Sequence, residues 1–139
     1  MAYLFVYGTL MMRGGNSYLL DECEYLGPAH TVDRFPMDAG EGVPMVFNRK
    51  GLGKQVYGEL YKLIGDALMR CDILEGHPRF YRRRIEEFIT FNNRSFNAWI
   101  YTINYGPLLP EYLKQEQYCP FLWDQGPRED FEDLHKEYA

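Results

Sequence analysis

Residues 82–104, RRRIEEFITFNNRSFNAWIYTIN, limit the possible folds of this chain more than any other stretch. The runs RRRIEEFITF and RSFNAWIYTIN flank NNR, a turn signal, so they read as a long β-hairpin. Other segments offer strands to extend it. YLFVY, at residues 3–7, is a buried strand by composition. QVYGELYKL alternates Val56, Gly58 and Leu60 against Gln55, Tyr57, Glu59 and Tyr61, the period of two that a half-buried strand requires. A further strand is expected through AHTVDRF. Helices are fewer. GGNSYLLDECEYLG reads as a short helix capped by Asn16 or Ser17, with Gly27-Pro28 beyond its end. DALMRCDILEGHP reads as a second helix, with Asp66 as its cap, Gly76 at C′ and Pro78 just past the end. Between the strands lies FPMDAGEGVPMVFNRKGLG, long for a loop and for that reason a functional candidate. Strands outnumber helices, so the expected fold class is α+β: a small mixed β-barrel with two or more flanking helices.

Size and charge narrow the function. A chain of 139 residues is expected to form one domain, 1–139, with a real core. A net charge of −5 argues against general nucleic-acid binding. Cys23, Cys71 and Cys119 are far apart and show no CxxC or CxxH spacing, which argues against a disulfide framework or a zinc site and for a reducing compartment. The strand beginning at Tyr3 leaves no room for a signal peptide, and no apolar run approaches the roughly 20 residues of a membrane helix. The expectation is a cytoplasmic protein with no membrane partner. His30, His77 and His135 lack metal-ligand spacing, and no GxGxxG, P-loop or GxSxG is present, so neither metal nor cofactor is expected.

Two places carry candidate chemistry. The first is the break at Gly8-Thr9 after YLFVY. A strand ending on glycine can turn sharply, which strips the amides of Gly8, Thr9 and Leu10 of their ladder partners. Such a row of N–H groups is either an anion or oxyanion site or a plain strand-to-loop turn. The second is Glu75. Leu68, Cys71 and Glu75 share one helical face, which puts a carboxylate on the apolar side of the last turn. Burial and the helix dipole both disfavour an anion there, so its pKa is expected to rise into the range of a proton shuttle. The competing reading is a solvated last-turn glutamate. Tyr81, six residues on and past Pro78, can reach back to that carboxylate. In the cluster Arg79, Arg82, Arg83 and Arg84, a strand places Arg82 and Arg84 on one face and Arg83 on the other. Pairing with Glu86, Glu87 or the acidic tail accounts for most of that charge, and the pattern singles out no arginine as a substrate ligand.

YGTL after the first strand and LEGHPRFYRR after the second helix together resemble the γ-glutamylcyclotransferase superfamily, also called AIG2-like or BtrG-like. Within it the chain is most similar to the γ-glutamylamine cyclotransferase branch, over roughly residues 1–106. Residues 107–139 match that pattern poorly. The resemblance implies a small barrel with flanking helices and a cofactor-free reaction in which a γ-glutamyl amide cyclises to 5-oxoproline and frees its amine. It implies Glu75 as catalytic residue and Tyr7, Gly8, Thr9, Leu10 and Tyr81 as the substrate-holding set. Two alternatives stay open: a non-catalytic module that binds γ-glutamyl or acyl-amino groups, and a cyclotransferase acting on a different amide. The leaving amine and the oligomeric state are not legible.

Overall fold

The computed structural model describes residues 2–7, 17–38 and 45–104. In chain order its elements are β1 (Tyr3–Val6), a 3-10 turn (Ser17–Leu20), β2 (Glu24–Thr31), β3 (Met37–Asp38), β4 (Met45–Val46), β5 (Tyr57–Lys62), α1 (Ala67–Glu75), β6 (Arg82–Thr90) and β7 (Ser95–Thr102). Five strands close into a barrel in the order β1-β5-β2-β6-β7. Every pairing is antiparallel except the closing one, where β7 meets β1 in parallel at Leu4 and Trp99. Closure removes the exposed edges that a hairpin by itself would present. The hairpin forms as its sequence implies, in register from Arg82 opposite Thr102 to Ile89 opposite Ser95. Asn93, at φ 63, supplies the left-handed residue its turn needs.

The barrel wall explains why β1 is apolar at every position. Phe5 and Tyr7 join Leu60, Phe88 and Ile100 in the cluster that fills the barrel. Phe5 stacks on Phe88 at 4.3 Å between ring centroids. Leu4 and Val6, pointing the other way, lie in a second cluster with Leu19, Leu20 and Cys71, beneath the 3-10 turn and α1. A strand covered on both faces has no solvent side to make polar. Val56, just before β5, and Gly58 and Leu60 within it are buried as the alternation implies, while Tyr61 on the other face is buried as well, in the outer cluster. Gly58 is there because the wall closes tightly on it; a Cβ at that position would lie 2.1 Å from the Val6 carbonyl oxygen.

Two expectations need correction. GGNSYLLDECEYLG is not a helix over its described part: only Ser17–Leu20 is helical, as a 3-10 turn, and Glu24 onward belongs to β2. Gly27-Pro28 therefore ends nothing. Gly27 marks a register shift against β5 and takes φ 112, closed to other residues, while Pro28 continues the ladder beyond it. The strand read through AHTVDRF correspondingly starts earlier and stops at Thr31. Among the described residues the flanking layer is one α-helix and one 3-10 turn. The long loop is partly paired: β3 and β4 form a two-stranded ladder, and Phe35, Met37 and Val46 pack into the barrel core.

Glu86 on β6 is a buried charge. Its side chain is 3% exposed and receives Lys50 Nζ at 2.8 Å, while Arg84 Nε lies 2.7 Å from the other oxygen. That second contact is off the donor axis and makes an ion pair without a hydrogen bond. Lys50 also reaches Asp33 at 3.5 Å, so the group fastens the segment after β4 to the barrel wall.

Candidate active site

The end of α1 is shaped by its last residues. Gly76 takes the left-handed conformation at φ 69, and its N–H together with that of His77 satisfies the carbonyls of Ile73 and Asp72. The chain then folds back: Arg79 and Phe80 donate to the Gly76 carbonyl and Tyr81 to the Glu75 carbonyl. This turn brings Tyr81 back beneath the helix, where it is buried in the outer cluster with Val6, Cys71 and Tyr101. Cys71 is fully buried on the same helical face, as the spacing of Leu68, Cys71 and Glu75 implies.

Glu75 is only partly accessible, and burial alone lifts its carboxyl from 4.5 to about 7. The cause is loss of water rather than a neighbouring charge, so the group stands near the midpoint of its titration at neutral pH. Its field is felt at Tyr7: burial, the adjacent Tyr81 and Glu75 all push the Tyr7 phenol well above its usual range. Glu75 likewise adds to burial in pushing the Cys71 thiol up to about 12, too high for a reactive thiolate. A carboxyl from the helix end, the tyrosine ending β1 and Tyr81 therefore share one electrostatic neighbourhood.

Tyr7 is held firmly. Its hydroxyl donates to the Tyr101 carbonyl at 2.6 Å and receives the Val46 N–H at 3.4 Å. The phenol proton is thus committed to the backbone, and Tyr7 locks the chain where β1 gives way to Gly8. Gly8, Thr9 and Leu10 lie outside the described residues, as does the segment 107–139.

No sequence pattern points to the group one turn before Glu75. Asp72, one turn earlier on α1, accepts Arg83 Nε at 2.8 Å and the Tyr101 hydroxyl at 2.6 Å on the same oxygen. The Arg83 guanidinium also lies 4.2 Å above the centre of the Trp99 ring, and the Arg83 backbone N–H donates to His77 Nδ1 at 3.2 Å. Burial pushes the Asp72 carboxyl up, but the hydrogen bonds from Arg83 and Tyr101 outweigh it and hold the group below its ordinary value. The strand alternation separated Arg83 from Arg82 and Arg84 correctly; no local pattern could name Asp72 or Tyr101 as its partners. Among the described residues no three His, Cys, Asp or Glu side chains converge in a way that could hold a metal, and no helix is long and apolar enough to cross a membrane.

A closed barrel that presents a half-buried, near-neutral carboxyl beside a strand end has the means for proton transfer on a small molecule. The comparisons define the class. The family described as gamma-glutamyl cyclotransferase, AIG2-like, matches residues 4–123. The gamma-glutamylaminecyclotransferase of Rattus norvegicus is 38% identical over 148 residues, covering 94% of this chain and 99% of the relative. That of Bos taurus is 32% identical over 132 residues, covering 89% and 75%. The crystal structure of an AIG2-like protein from Mus musculus matches with a TM-score of 0.71 at 30% identity over 85% of each chain. The chain belongs to the γ-glutamyl cyclotransferase, AIG2-like family of enzymes.

Proposed function

We propose that this protein is a γ-glutamylamine cyclotransferase-type enzyme that converts a γ-glutamyl amide into 5-oxoproline and a free amine, with Glu75 as general base and then general acid. The observation that carries the proposal is the Glu75 carboxyl, set at the end of α1 where its charge acts on Tyr7 and lifted by burial to about 7. The names of the rat and bovine relatives support the choice of an amine as leaving group.

The reaction needs little beyond placement. The substrate's α-amino nitrogen attacks its own γ-carbonyl carbon and closes a five-membered ring. Because the attack is intramolecular, holding the two groups in line supplies much of the rate, on the order of 7–11 kcal/mol in well-held cases. Glu75 takes the proton that the attacking nitrogen sheds, and the C–N bond to the leaving amine breaks as Glu75 returns that proton to it. A carboxyl near pH 7 is suited to both halves and contributes about 10²–10⁴-fold. The amides of Gly8, Thr9 and Leu10 are assigned to the substrate carboxylate or the developing oxyanion, and Tyr81 to orienting Glu75. The scheme requires no cofactor and no metal. The separate thiols Cys23 and Cys71 support a reducing, cytoplasmic setting.

The test is a panel of γ-glutamyl compounds, including γ-glutamyl-ε-lysine, glutathione and γ-glutamyl amino acids, with 5-oxoproline read by mass spectrometry. Release from a γ-glutamylamine by the wild type, and its loss in Glu75→Gln, is expected. Turnover retained in that variant removes Glu75 from the chemistry, and thermal stabilisation by a compound without product favours a binding module.

A further inference from the structure

We propose that Asp72, Arg83 and Tyr101 form a clamp of positioning residues that sets Glu75 against the Tyr7 end of β1. The inference rests on the cyclotransferase reading above and extends it to residues that touch neither substrate nor reacting atoms.

Helix α1 has little of its own to hold it in place. It is nine residues long, below the length at which helices persist unaided, and Asp66 makes no side-chain capping bond. Its fully buried residues are Ala67 and Cys71, while Met69, Ile73 and Leu74 face outward. Beyond Cys71 and the Tyr81 N–H bond to the Glu75 carbonyl, the half of the helix that carries Glu75 is fastened through Asp72, whose carboxylate takes one donor from the start of β6 and one from the end of β7. Arg83 is itself immobilised between Asp72 and the face of Trp99.

Tyr101 makes the arrangement more than a helix tether. Its hydroxyl holds Asp72 on the outer side of the barrel wall, and its carbonyl takes the Tyr7 phenol proton at 2.6 Å. One residue thus spans from the catalytic helix to the residue before Gly8. Moving Tyr101 or freeing Asp72 changes the spacing between the proton carrier and the strand end assigned to the substrate. A misplacement of about 1 Å costs on the order of 100-fold in rate.

Tyr101→Phe is the informative variant, because it removes the hydroxyl, keeps the ring and the carbonyl, and alters no formal charge. The Glu75 charge acts on Tyr7 at the end of β1 and on Cys71 of its own helix; Tyr81 acts on Tyr7, and Arg83 and His77 act on Asp72. None of these groups is replaced in Tyr101→Phe. Two readouts are taken well below the melting temperature: kcat and KM for 5-oxoproline release, and the Glu75 titration midpoint from carbon-13 NMR of glutamate-labelled protein, assigned by the peak lost in Glu75→Gln. We expect kcat to fall about 10- to 100-fold with KM within about twofold. We expect the midpoint to drop by roughly half a unit or more as water reaches the loosened carboxyl. Arg83→Lys should recover part of the kcat that Arg83→Met loses. If the wild type is active, a kcat within twofold in Tyr101→Phe overturns the clamp and leaves the cyclotransferase reading standing. If the wild type releases no 5-oxoproline, that reading fails, and the midpoint decides the clamp alone: unmoved, the clamp is overturned.

Discussion

Replacing Glu75 by glutamine should change how stability depends on pH, and by an amount the structure fixes. The folded carboxyl titrates at about 7 against 4.5 for the free side chain, because burial removes water from the ionised form. Below 4.5 the group is neutral in both folded and unfolded chains, and burying it costs no charge. Between 4.5 and about 7 the unfolded chain ionises while the folded one keeps its proton, so folding becomes steadily less favourable. Above about 7 both are ionised and the full penalty stands. A gap of two to three units corresponds to about 3 kcal/mol as an upper bound, and water still reaching the carboxyl reduces this to roughly 2 kcal/mol. Glutamine has nearly the same shape and no proton to lose. The stability of wild type minus that of Glu75→Gln should therefore fall by about 2 kcal/mol between pH 4 and pH 8, or several degrees in melting temperature for a chain of this size. Paired urea titrations at half-unit steps in pH measure it directly. A difference that stays constant to within about 0.5 kcal/mol across that range refutes the raised pKa, and with it the argument for a proton shuttle at this position.

The same carboxyl should appear in the kinetics: kcat/KM for a turned-over γ-glutamyl amide should rise with pH through a midpoint near 7, because the free enzyme's base must be ionised, and a profile flat from pH 5 to 8 would assign the base elsewhere. Gly58→Ala should destabilise the barrel by about 1–3 kcal/mol in urea unfolding, since the new methyl meets the Val6 carbonyl oxygen, a backbone atom that cannot swing aside; an unchanged midpoint would mean that the β1–β5 contact is looser than the structure has it. Asp66→Ala should cost under about 0.5 kcal/mol in the same assay, because Asp66 makes no side-chain capping bond and among the described residues pairs only with Arg70, in an exposed i, i+4 contact at 3.1 Å; a loss near 1–2 kcal/mol would restore it as a working cap.

What could be read in advance divides along the range of the interaction. The hairpin, β5 and α1 were legible because each carries its own signal: NNR at a turn that needs a left-handed residue, alternation at Val56, Gly58 and Leu60, and a glycine at the helix end. The burial of Glu75 had a local signal too, since helical spacing set it on the face of Cys71, though spacing by itself left a solvated last-turn glutamate open. The reading failed where a local signal had a non-local cause. Gly27-Pro28 has the chemistry of a stop, yet here the glycine absorbs a bulge and the ladder to β5 carries the proline through. Glu86 is one of three partners the sequence offers the arginines, and its contact with Lys50, arriving from the segment after β4, has no local signal. Asp72 is the sharpest case. Beside Glu75 in sequence it reads as another exposed helix acid, and only the hairpin register, which sets Arg83 opposite Tyr101, brings both donors to it from neighbouring strands. The carboxyl proposed as proton carrier is thus written into one helix, while the contacts that hold that helix are distributed over three elements. Substitutions that leave every local pattern intact, Tyr101→Phe among them, are for that reason the ones most able to separate a folded barrel from a working enzyme.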